Sequence, residues 1–384
     1  MGNDRLNKNI AFEPLYIISQ FQTAMQKFVF TKEEMARDLE RTGLRKGDTV
    51  LVHSSLSRIG YVPGGAETVI DALLEAVGDA GTIVVPTLTG HMSDSPENPP
   101  AFSSDKPSWT GTIPEVLRKR EGACRSNHPT HSVAAIGNLA RKMTEGHEDA
   151  MTPCGRDTPY LKIAEAHGKI LFLGATLNSN TTFHSIEELA KLYYHLQPEP
   201  TICELEIGGK PIKRRMFLHA YGAPRTFGEK EGELVESGVA KVGHVGRAKS
   251  TLMDAGGMID FILQKLKGDG LYLVEREVID FWCISGCIDL VSQGKFDSMK
   301  INLYLPKGAS VKFLGNSLLF KGVQMDFHDN LKLKSGTLKL PSKFAKVLRL
   351  NGGYSYWMRF KRGAKGMEAD VVDHARPYSA AKII

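Results

Sequence analysis

The sequence lacks the features that mark secreted and membrane proteins. Its 384 residues include five cysteines, an odd number scattered at Cys124, Cys154, Cys203, Cys283 and Cys287. This argues against a disulfide framework and indicates reduced thiols. No stretch approaches the roughly 18 uninterrupted apolar residues of a membrane helix, and the first residues show no basic-then-apolar leader. We therefore expect a cytoplasmic protein that does not associate with membranes.

Clustered metal ligands are also lacking. Cys283 and Cys287 have no second Cys or His pair at zinc-like spacing beside them. His128 and His131 lie three residues apart, a spacing that does not by itself make a metal pair. For Cys283 and Cys287, burial in the core is a simpler interpretation than metal binding. We therefore predict no metal site.

Charge is divided unevenly along the chain. The net charge is +6, yet residues 291–384 hold 17 Lys and Arg against 6 Asp and Glu, which makes this tail +11 and the rest −5. A basic module suggests an anionic partner, such as a phosphorylated substrate, a nucleic acid or an acidic carrier protein. A solvated lysine face explains the same charges. Both interpretations stay open.

Short apolar runs alternate with helical patterns through most of the chain. Residues 48–87 read as a strand, a Gly/Pro turn, a helix between Gly65 and Gly78, and a second strand. Similar apolar runs follow at 131–137, 169–175 and 270–275. Buried strands that alternate with helices predict an α/β sheet.

Two further segments depart from this alternation. Residues 87–109 are rich in Ser, Pro and Asp and too long for a simple connector, so we predict an active-site lid or wall. Past about Cys287 the apolar residues recur with period two, which is typical of β-strands. We therefore predict two domains, residues 1–285 as the α/β domain and 286–384 as a basic, β-rich C-terminal module.

Residues 54–65 lie between a predicted strand and a predicted helix start, where free backbone N–H groups and the helix dipole favour an anion. Their spacing matches neither G-x-G-x-x-G nor G-x-x-x-x-G-K-[ST], so the dinucleotide and P-loop interpretations fail. From the residues alone, the segment is an anion loop of unassigned ligand.

Several ordered segments resemble the aminoglycoside 3-N-acetyltransferase family. Residues 52–87 are similar to the opening of these enzymes, and further similar stretches follow in the same order at 125–137, 155–175, 180–188 and, more weakly, 245–266. The resemblance spans about residues 30–280, and the β tail falls outside it. It implies direct transfer of an acyl group from coenzyme A to an amine, within an α/β/α sandwich around a mostly parallel sheet and without a metal.

Residues 180–188 place a histidine and two carboxylates near a predicted helix start. Glu187 and Glu188 follow His184 by three and four positions, so a carboxylate can share the helix face of the imidazole. Such a pair suits a general base that takes a proton from an attacking amine. By resemblance, His184 and Glu187 match the family's catalytic His and its partner. A histidine in the helix-capping region is the alternative.

Coenzyme A, as acetyl-CoA or another acyl-CoA, is the expected co-substrate. His53 follows a strand at a position that faces the ligand crevice of α/β folds, although a strand-end imidazole bonded to backbone explains it equally well. Serines of the following loop are expected to contact the pantetheine and phosphates. The predicted coenzyme A-binding set is His53, Ser54, Ser55, Leu56, Ser57, Gly64 and Gly65.

The acceptor pocket is predicted from three residues. His128 and His131 precede a strand, and Asp157 matches the family in this region, although capping the next helix is the ordinary role of such an Asp. A cysteine nucleophile, Cys154 or Cys124, is the rival to direct transfer.

The acceptor itself is predicted from charge. Residues 210–215 hold four basic side chains, Lys210, Lys213, Arg214 and Arg215. They would repel a polycationic aminoglycoside and favour an anionic, nucleotide-linked amino sugar of surface polysaccharide biosynthesis. The alternatives are aminoglycoside resistance and a catalytically inactive carrier- or nucleic-acid-binding protein. For the leading hypothesis we expect small-molecule partners, no nucleic acid and no membrane, with homo-oligomer formation left open.

Overall fold

The computed structural model describes residues 29–192, 194–197, 199–220, 225–275, 291, 294, 297–304, 310–314, 317–320, 323–326, 348–351, 355–363 and 366–375. The predicted domain boundary at 285/286, together with Cys283 and Cys287, lies outside these residues, so the division there stays a prediction. None of the helices within the described ranges is long and apolar enough to cross a membrane.

A seven-stranded sheet lies at the centre of the structure. The first ten strands are β1 (Thr49–Ser54), β2 (Thr82–Pro86), β3 (Ala101–Phe102), β4 (Cys124–Arg125), β5 (Val133–Gly137), β6 (Lys169–Leu173), β7 (Thr201–Ile207), β8 (Lys210–Met216), β9 (Ala240–Val245) and β10 (Ala248–Asp254). The central sheet has the order β4-β5-β2-β1-β6-β10-β9. Strands β2, β1 and β6 are mutually parallel, β4 and β9 share their direction, and only β5 and β10 oppose it. The prediction of a mostly parallel sheet is confirmed.

Helices cover both faces of this sheet. They are α1 (Lys32–Thr42), α2 (Leu56–Ile59), α3 (Ala66–Val77), α4 (Thr112–Leu117), α5 (Ala140–Thr144), α6 (Pro159–Glu165), α7 (Thr182–Leu189), α8 (Glu231–Glu236) and α9 (Ala255–Gly268). Val50 and Val52 of β1 pack with α1, α3 and α4, whereas Leu51 packs with α5, α6, α7 and α9 on the opposite face. Alternate residues of a strand point to opposite faces, so a continuous apolar run is needed where both faces are covered. The predicted α/β/α sandwich is confirmed.

The predicted strand, loop, helix and strand of residues 48–87 form β1, α3 and β2. Gly64 adopts a φ of +80°, and a Cβ there would lie 2.4 Å from Thr68 Oγ1, so the turn into α3 requires glycine. The prediction of a strand at 270–275 is wrong. Leu271 N–H bonds the Asp269 carboxylate at 3.0 Å, and Tyr272 N–H bonds the Asp269 carbonyl at 3.0 Å, so the backbone is satisfied locally as a turn.

The described residues also form three smaller sheets. Strands β3, β7 and β8 form one of them. The C-terminal strands are β11 (Ser298–Tyr304), β12 (Ser310–Leu314), β13 (Ser317–Phe320), β14 (Val323–Asp326), β15 (Leu348–Asn351), β16 (Ser355–Gly363) and β17 (Gly366–Ala375). They pair antiparallel in the orders β11-β16-β17 and β14-β13-β12-β15. From Ser298 to Ala375 the described part of the tail consists of antiparallel strands, which confirms the prediction of a C-terminal β module.

Candidate active site

A cavity of about 690 Å³ opens at the carboxyl ends of the parallel strands β1, β2 and β6. In open α/β sheets this edge is where ligands bind. Residues 88–110, the loop segment, contribute to one wall through their two ends, from which Leu88, Gly90, Trp109 and Thr110 line the cavity. Trp109 Nε1 donates to the Gly90 carbonyl at 3.0 Å and so joins the two ends of this segment. Residues 87–109, predicted as an active-site lid or wall, therefore reach this cavity.

His184 and Glu187 form a close pair beside this cavity. Both lie on α7, and a spacing of three brings their side chains to one face of the helix. His184 Nδ1 is 2.7 Å from Glu187 Oε2. His184 lines the cavity, whereas Glu187 is fully buried behind it. The arrangement is an imidazole that faces the ligand space and a carboxylate that orients it.

Electrostatics keep this pair in the neutral-imidazole, ionised-carboxylate state. Burial lowers the pKa of His184 more than the hydrogen bond to Glu187 raises it. Burial alone would raise the pKa of Glu187, but the charge of Arg225 and the neighbouring His195 and His184 together hold it well below its ordinary value. Because Glu187 can only accept, Nδ1 of the neutral ring carries the proton and the Nε2 lone pair is left to accept another.

Three residues that the sequence analysis missed surround the pair. Arg225 Nε donates to Glu187 Oε1 at 3.0 Å. His195 Nδ1 lies 2.7 Å from Glu187 Oε2, and its Nε2 lies 3.4 Å from Glu188 Oε1. Although burial lowers the pKa of His195, the two carboxylates raise it more. His219 stands with its ring centroid 4.4 Å from that of His184. No motif or periodicity links these residues to α7, since they approach it only through the tertiary fold.

Within the described residues, two sets of side chains have ligand atoms that all lie within 4.8 Å of one another. They are His131, Cys154 and His219, and His184, His195 and His219. Imidazole and thiolate groups are the ligands that zinc prefers. Neither set could be found from sequence spacing, because their members lie far apart along the chain.

Of the residues predicted to bind coenzyme A, His53 and Ser54 line the cavity. The His53 ring stacks on Phe172 with centroids 5.0 Å apart, and burial lowers its pKa to about 3, so the ring is neutral. His53 Nε2 and Ser54 Oγ are buried without a hydrogen-bond partner among the described residues. Unpaired buried polar atoms are uncommon, and these two belong to residues that line the cavity.

The rest of the predicted coenzyme A set does not line this cavity. It consists of Ser55, Leu56, Ser57, Gly64 and Gly65. The serines turn towards each other, with Ser55 Oγ 3.4 Å from Ser57 Oγ. The two glycines have positive φ and serve the turn before α3. The pattern of strand, loop and helix located this loop but could not tell which of its side chains face the cavity.

Of the three residues predicted for the acceptor pocket, one lines the cavity and two do not. His131 lines the cavity. His128 is fully buried away from the lining, and its Nδ1 accepts the N–H groups of Thr130 at 3.2 Å and His131 at 3.0 Å, so it shapes the turn. Asp157 is exposed with a φ of +64°, and Thr158 occupies the N-cap of α6 instead. His128 and Asp157 therefore do not line this cavity, and the N-cap of α6 is Thr158 rather than Asp157.

The four basic residues of the predicted acceptor argument lie on β8, and none of them lines the cavity. Lys213 is 3.2 Å from Glu204, and Arg214 is 3.0 Å from Asp149. Lys213 and Arg214 therefore pair with carboxylates of the surface.

Cys154, one of the two candidate nucleophiles, is fully buried. Burial raises the pKa of its thiol well above the ordinary value, helped by the charges of Glu188 and Glu187. Since the thiolate is the nucleophile, this environment disfavours attack by Cys154. Cys124, the other candidate, is half-buried and does not line the cavity.

Comparisons with known proteins agree on one family. A family profile described as aminoglycoside 3-N-acetyltransferase matches residues 51–267. Aminoglycoside N(3)-acetyltransferase VII of Streptomyces paromomycinus is 33% identical over 270 residues, which cover 60% of this chain and 89% of the relative. A structure of AAC-IIIb with CoASH superposes with a TM-score of 0.57 at 28% identity, and covers 62% of this chain and 97% of its own. AAC-VIa bound to sisomicin gives a TM-score of 0.55 at 28% identity, with 62% and 98% covered. The profile match ends before the C-terminal strands.

Proposed function

The chain belongs to the aminoglycoside 3-N-acetyltransferase family, and from that premise we propose that it transfers an acetyl group from acetyl-coenzyme A to an amino group of an aminoglycoside. It is an acyltransferase, and coenzyme A is its co-substrate. The observation that carries the finer proposal is the contact of 2.7 Å between His184 and Glu187 at the cavity wall, inside the matched range. This pair also disfavours the alternative of an inactive binding protein.

The proposed acceptor differs from the one that the sequence favoured. A nucleotide-linked amino sugar was expected because residues 210–215 are basic, but these side chains lie on β8 away from the cavity. Among the described lining residues, Arg225 is the one permanent cation, and the buried charge of Glu187 balances it. A polycation therefore meets no uncompensated positive charge at this wall. Three of the curated relatives are aminoglycoside N(3)-acetyltransferases by name, which supports the same acceptor class.

In the proposed reaction His184 is the general base. Its Nε2 takes a proton from the acceptor amine as nitrogen attacks the thioester carbonyl. The imidazolium that forms is stabilised through Nδ1 by Glu187, which Arg225 holds charged and oriented. The carbon–sulfur bond then breaks, and His184 returns the proton to the leaving sulfur. The new carbon–nitrogen bond and the free thiol complete the balance.

The residues around the cavity fit an acyl-coenzyme A. At the strand ends, His53 and Ser54 supply polar surface, and Val52 and Ala175 supply apolar surface. Pantetheine alternates amide groups with methylene groups and needs both kinds of surface. Coenzyme A supplies the activated thioester, and the chain supplies the base and the orientation.

The test is release of free thiol from acetyl-coenzyme A with two acceptor panels, aminoglycosides and nucleotide-linked amino sugars. Turnover with aminoglycosides alone is the expected result. His184→Gln should lower kcat by about 10²–10⁴-fold, the contribution of a general base. The matched control is His244→Gln, which changes an exposed histidine of β9. Turnover with nucleotide sugars alone, or near-normal activity of His184→Gln, would contradict the proposal.

A further inference from the structure

Lys300 of β11 is a buried cation in the C-terminal module. Its side chain is 3% exposed, and its Nζ lies 3.0 Å from Glu97 Oε1 and 2.8 Å from Glu199 Oε2. A buried ammonium group is retained only where opposite charges or acceptors compensate its lost hydration. Lys300 therefore does not belong to a solvated lysine face, the simple explanation of the basic tail.

Both glutamates lie on segments that reach the cavity. Glu97 belongs to the loop segment, residues 88–110, which contributes Leu88, Gly90 and Trp109 to the lining. Burial would raise the pKa of Glu97, but the hydrogen bond and charge of Lys300 contribute to holding it below its ordinary value. The carboxylate is thus ionised where the lysine meets it.

Glu199, the second carboxylate at Lys300, belongs to a segment that is hydrogen-bonded to the loop segment. It lies two residues after Gln197, whose Nε2 donates to the Asp94 carbonyl at 2.6 Å and to the His219 carbonyl at 3.2 Å. Asp94 is in the loop segment, and His219 lines the cavity. Lys300 therefore connects two segments that are already bonded to each other behind one cavity wall.

A second basic residue supports this contact. Arg359 of β16 is the register partner of Lys300 in the antiparallel pair of β11 and β16. Its Nη2 lies 3.9 Å from the same Glu97 oxygen. Two adjacent strands of the module thus present positive charge to the loop segment.

We propose that Lys300 is a positioning residue through which the C-terminal module fixes the loop segment and so shapes the acceptor side of the cavity. The inference rests on the proposed function for the identity of the acceptor. The module then belongs to the machinery of acceptor recognition, although it lies outside the profile match at residues 51–267. The acyl donor approaches the strand ends at His53 and Ser54, on the other wall, and does not depend on this link.

The test compares Lys300→Met with the conservative variant Lys300→Arg. The matched control is Lys361→Met, because Lys361 lies in the same module 2.9 Å from Asp370 on a half-exposed surface. For Lys300→Met we expect the KM of the acceptor to rise about tenfold, with kcat and the KM of acetyl-coenzyme A within about threefold of wild type. Lys300→Arg should restore most of the acceptor affinity.

Hydrogen exchange of the loop segment gives a readout that needs no acceptor. Amide exchange in residues 88–110 should be about tenfold faster in Lys300→Met, and unchanged in Lys361→Met. If wild type has no aminoglycoside turnover, the proposed function fails while this comparison still decides the role of Lys300. Equal exchange and equal acceptor KM in the two Met variants would refute the inference. The inference would also be refuted if Lys300→Met lowered kcat and the melting temperature and raised both KM values together, because that result marks a merely structural residue.

Discussion

Glu187→Gln removes one charge from the centre of the candidate site and keeps its shape. The carboxylate is fully buried and lies 2.7 Å from His184, 2.7 Å from His195 and 3.0 Å from Arg225. For unit charges about 4 Å apart at an effective dielectric constant of about 20, Coulomb's law gives about 4 kcal/mol. An imidazolium that forms on His184 loses this order of stabilisation in the variant.

The expected consequence is a fall in kcat of about 10²–10⁴-fold, equivalent to about 3–5 kcal/mol of barrier. The pH profile should shift as well. Glu187 raises the pKa of His184 through its hydrogen bond and charge, so its removal lowers that pKa. Activity requires neutral His184, and the acid limb of the kcat profile should therefore move to lower pH while the plateau drops.

The assay is thiol release at saturating acetyl-coenzyme A and acceptor from about pH 5 to about pH 8, the range in which histidine titrates. Glu188→Gln is the comparison, since Glu188 is buried in the same cluster and contacts His195 but not His184. It should lose far less kcat than Glu187→Gln, and its acid limb should stay nearer to that of wild type. Equal effects of the two variants, or a kcat of Glu187→Gln within threefold of wild type, would refute the reasoning.

Two other substitutions test neighbouring parts of the site. The charge of Arg225 lowers the pKa of His184, so Arg225→Gln should move the acid limb to higher pH, opposite to Glu187→Gln, and lower kcat about tenfold or more because Glu187 loses its anchor. The pH profile of thiol release checks this, and a shift to lower pH would contradict it. Cys154→Ala should keep kcat within about threefold while it lowers thermal stability, because the buried side chain is packing and not a nucleophile. Acyl transfer to Cys154 found by mass spectrometry of wild type would contradict this.

The sequence predicted what depends on local order. Alternating apolar runs located β1, α3, β2, β5 and β6, because a buried strand and an amphipathic helix each impose a period on the chain. Helical spacing also predicted that a carboxylate shares the face of His184, but it left Glu187 and Glu188 open, and the resemblance to the family selected Glu187. The segment at 270–275 was wrongly predicted as a strand. Its apolar residues are buried in a turn, and a short apolar run does not distinguish a buried turn from a buried strand.

What the sequence could not predict depends on tertiary contacts. Arg225, His195 and His219 meet α7 only after the chain has folded, and no spacing records that meeting. The basic residues of β8 misled the prediction of the acceptor. Their charge can be read from the sequence, but their position away from the cavity lining cannot. Charge on a strand predicts a ligand only when the face that carries it is known.

The location of Lys300 has an evolutionary consequence. The base and its carboxylate lie on α7, within the part of the chain that matches the family, whereas Lys300 lies in strands beyond the matched range. Selection can therefore alter a contact behind the loop segment by changing an appended module, without disturbing the residues that perform proton transfer. The residues that carry out proton transfer and the residue proposed to position the acceptor side therefore lie in different parts of the chain.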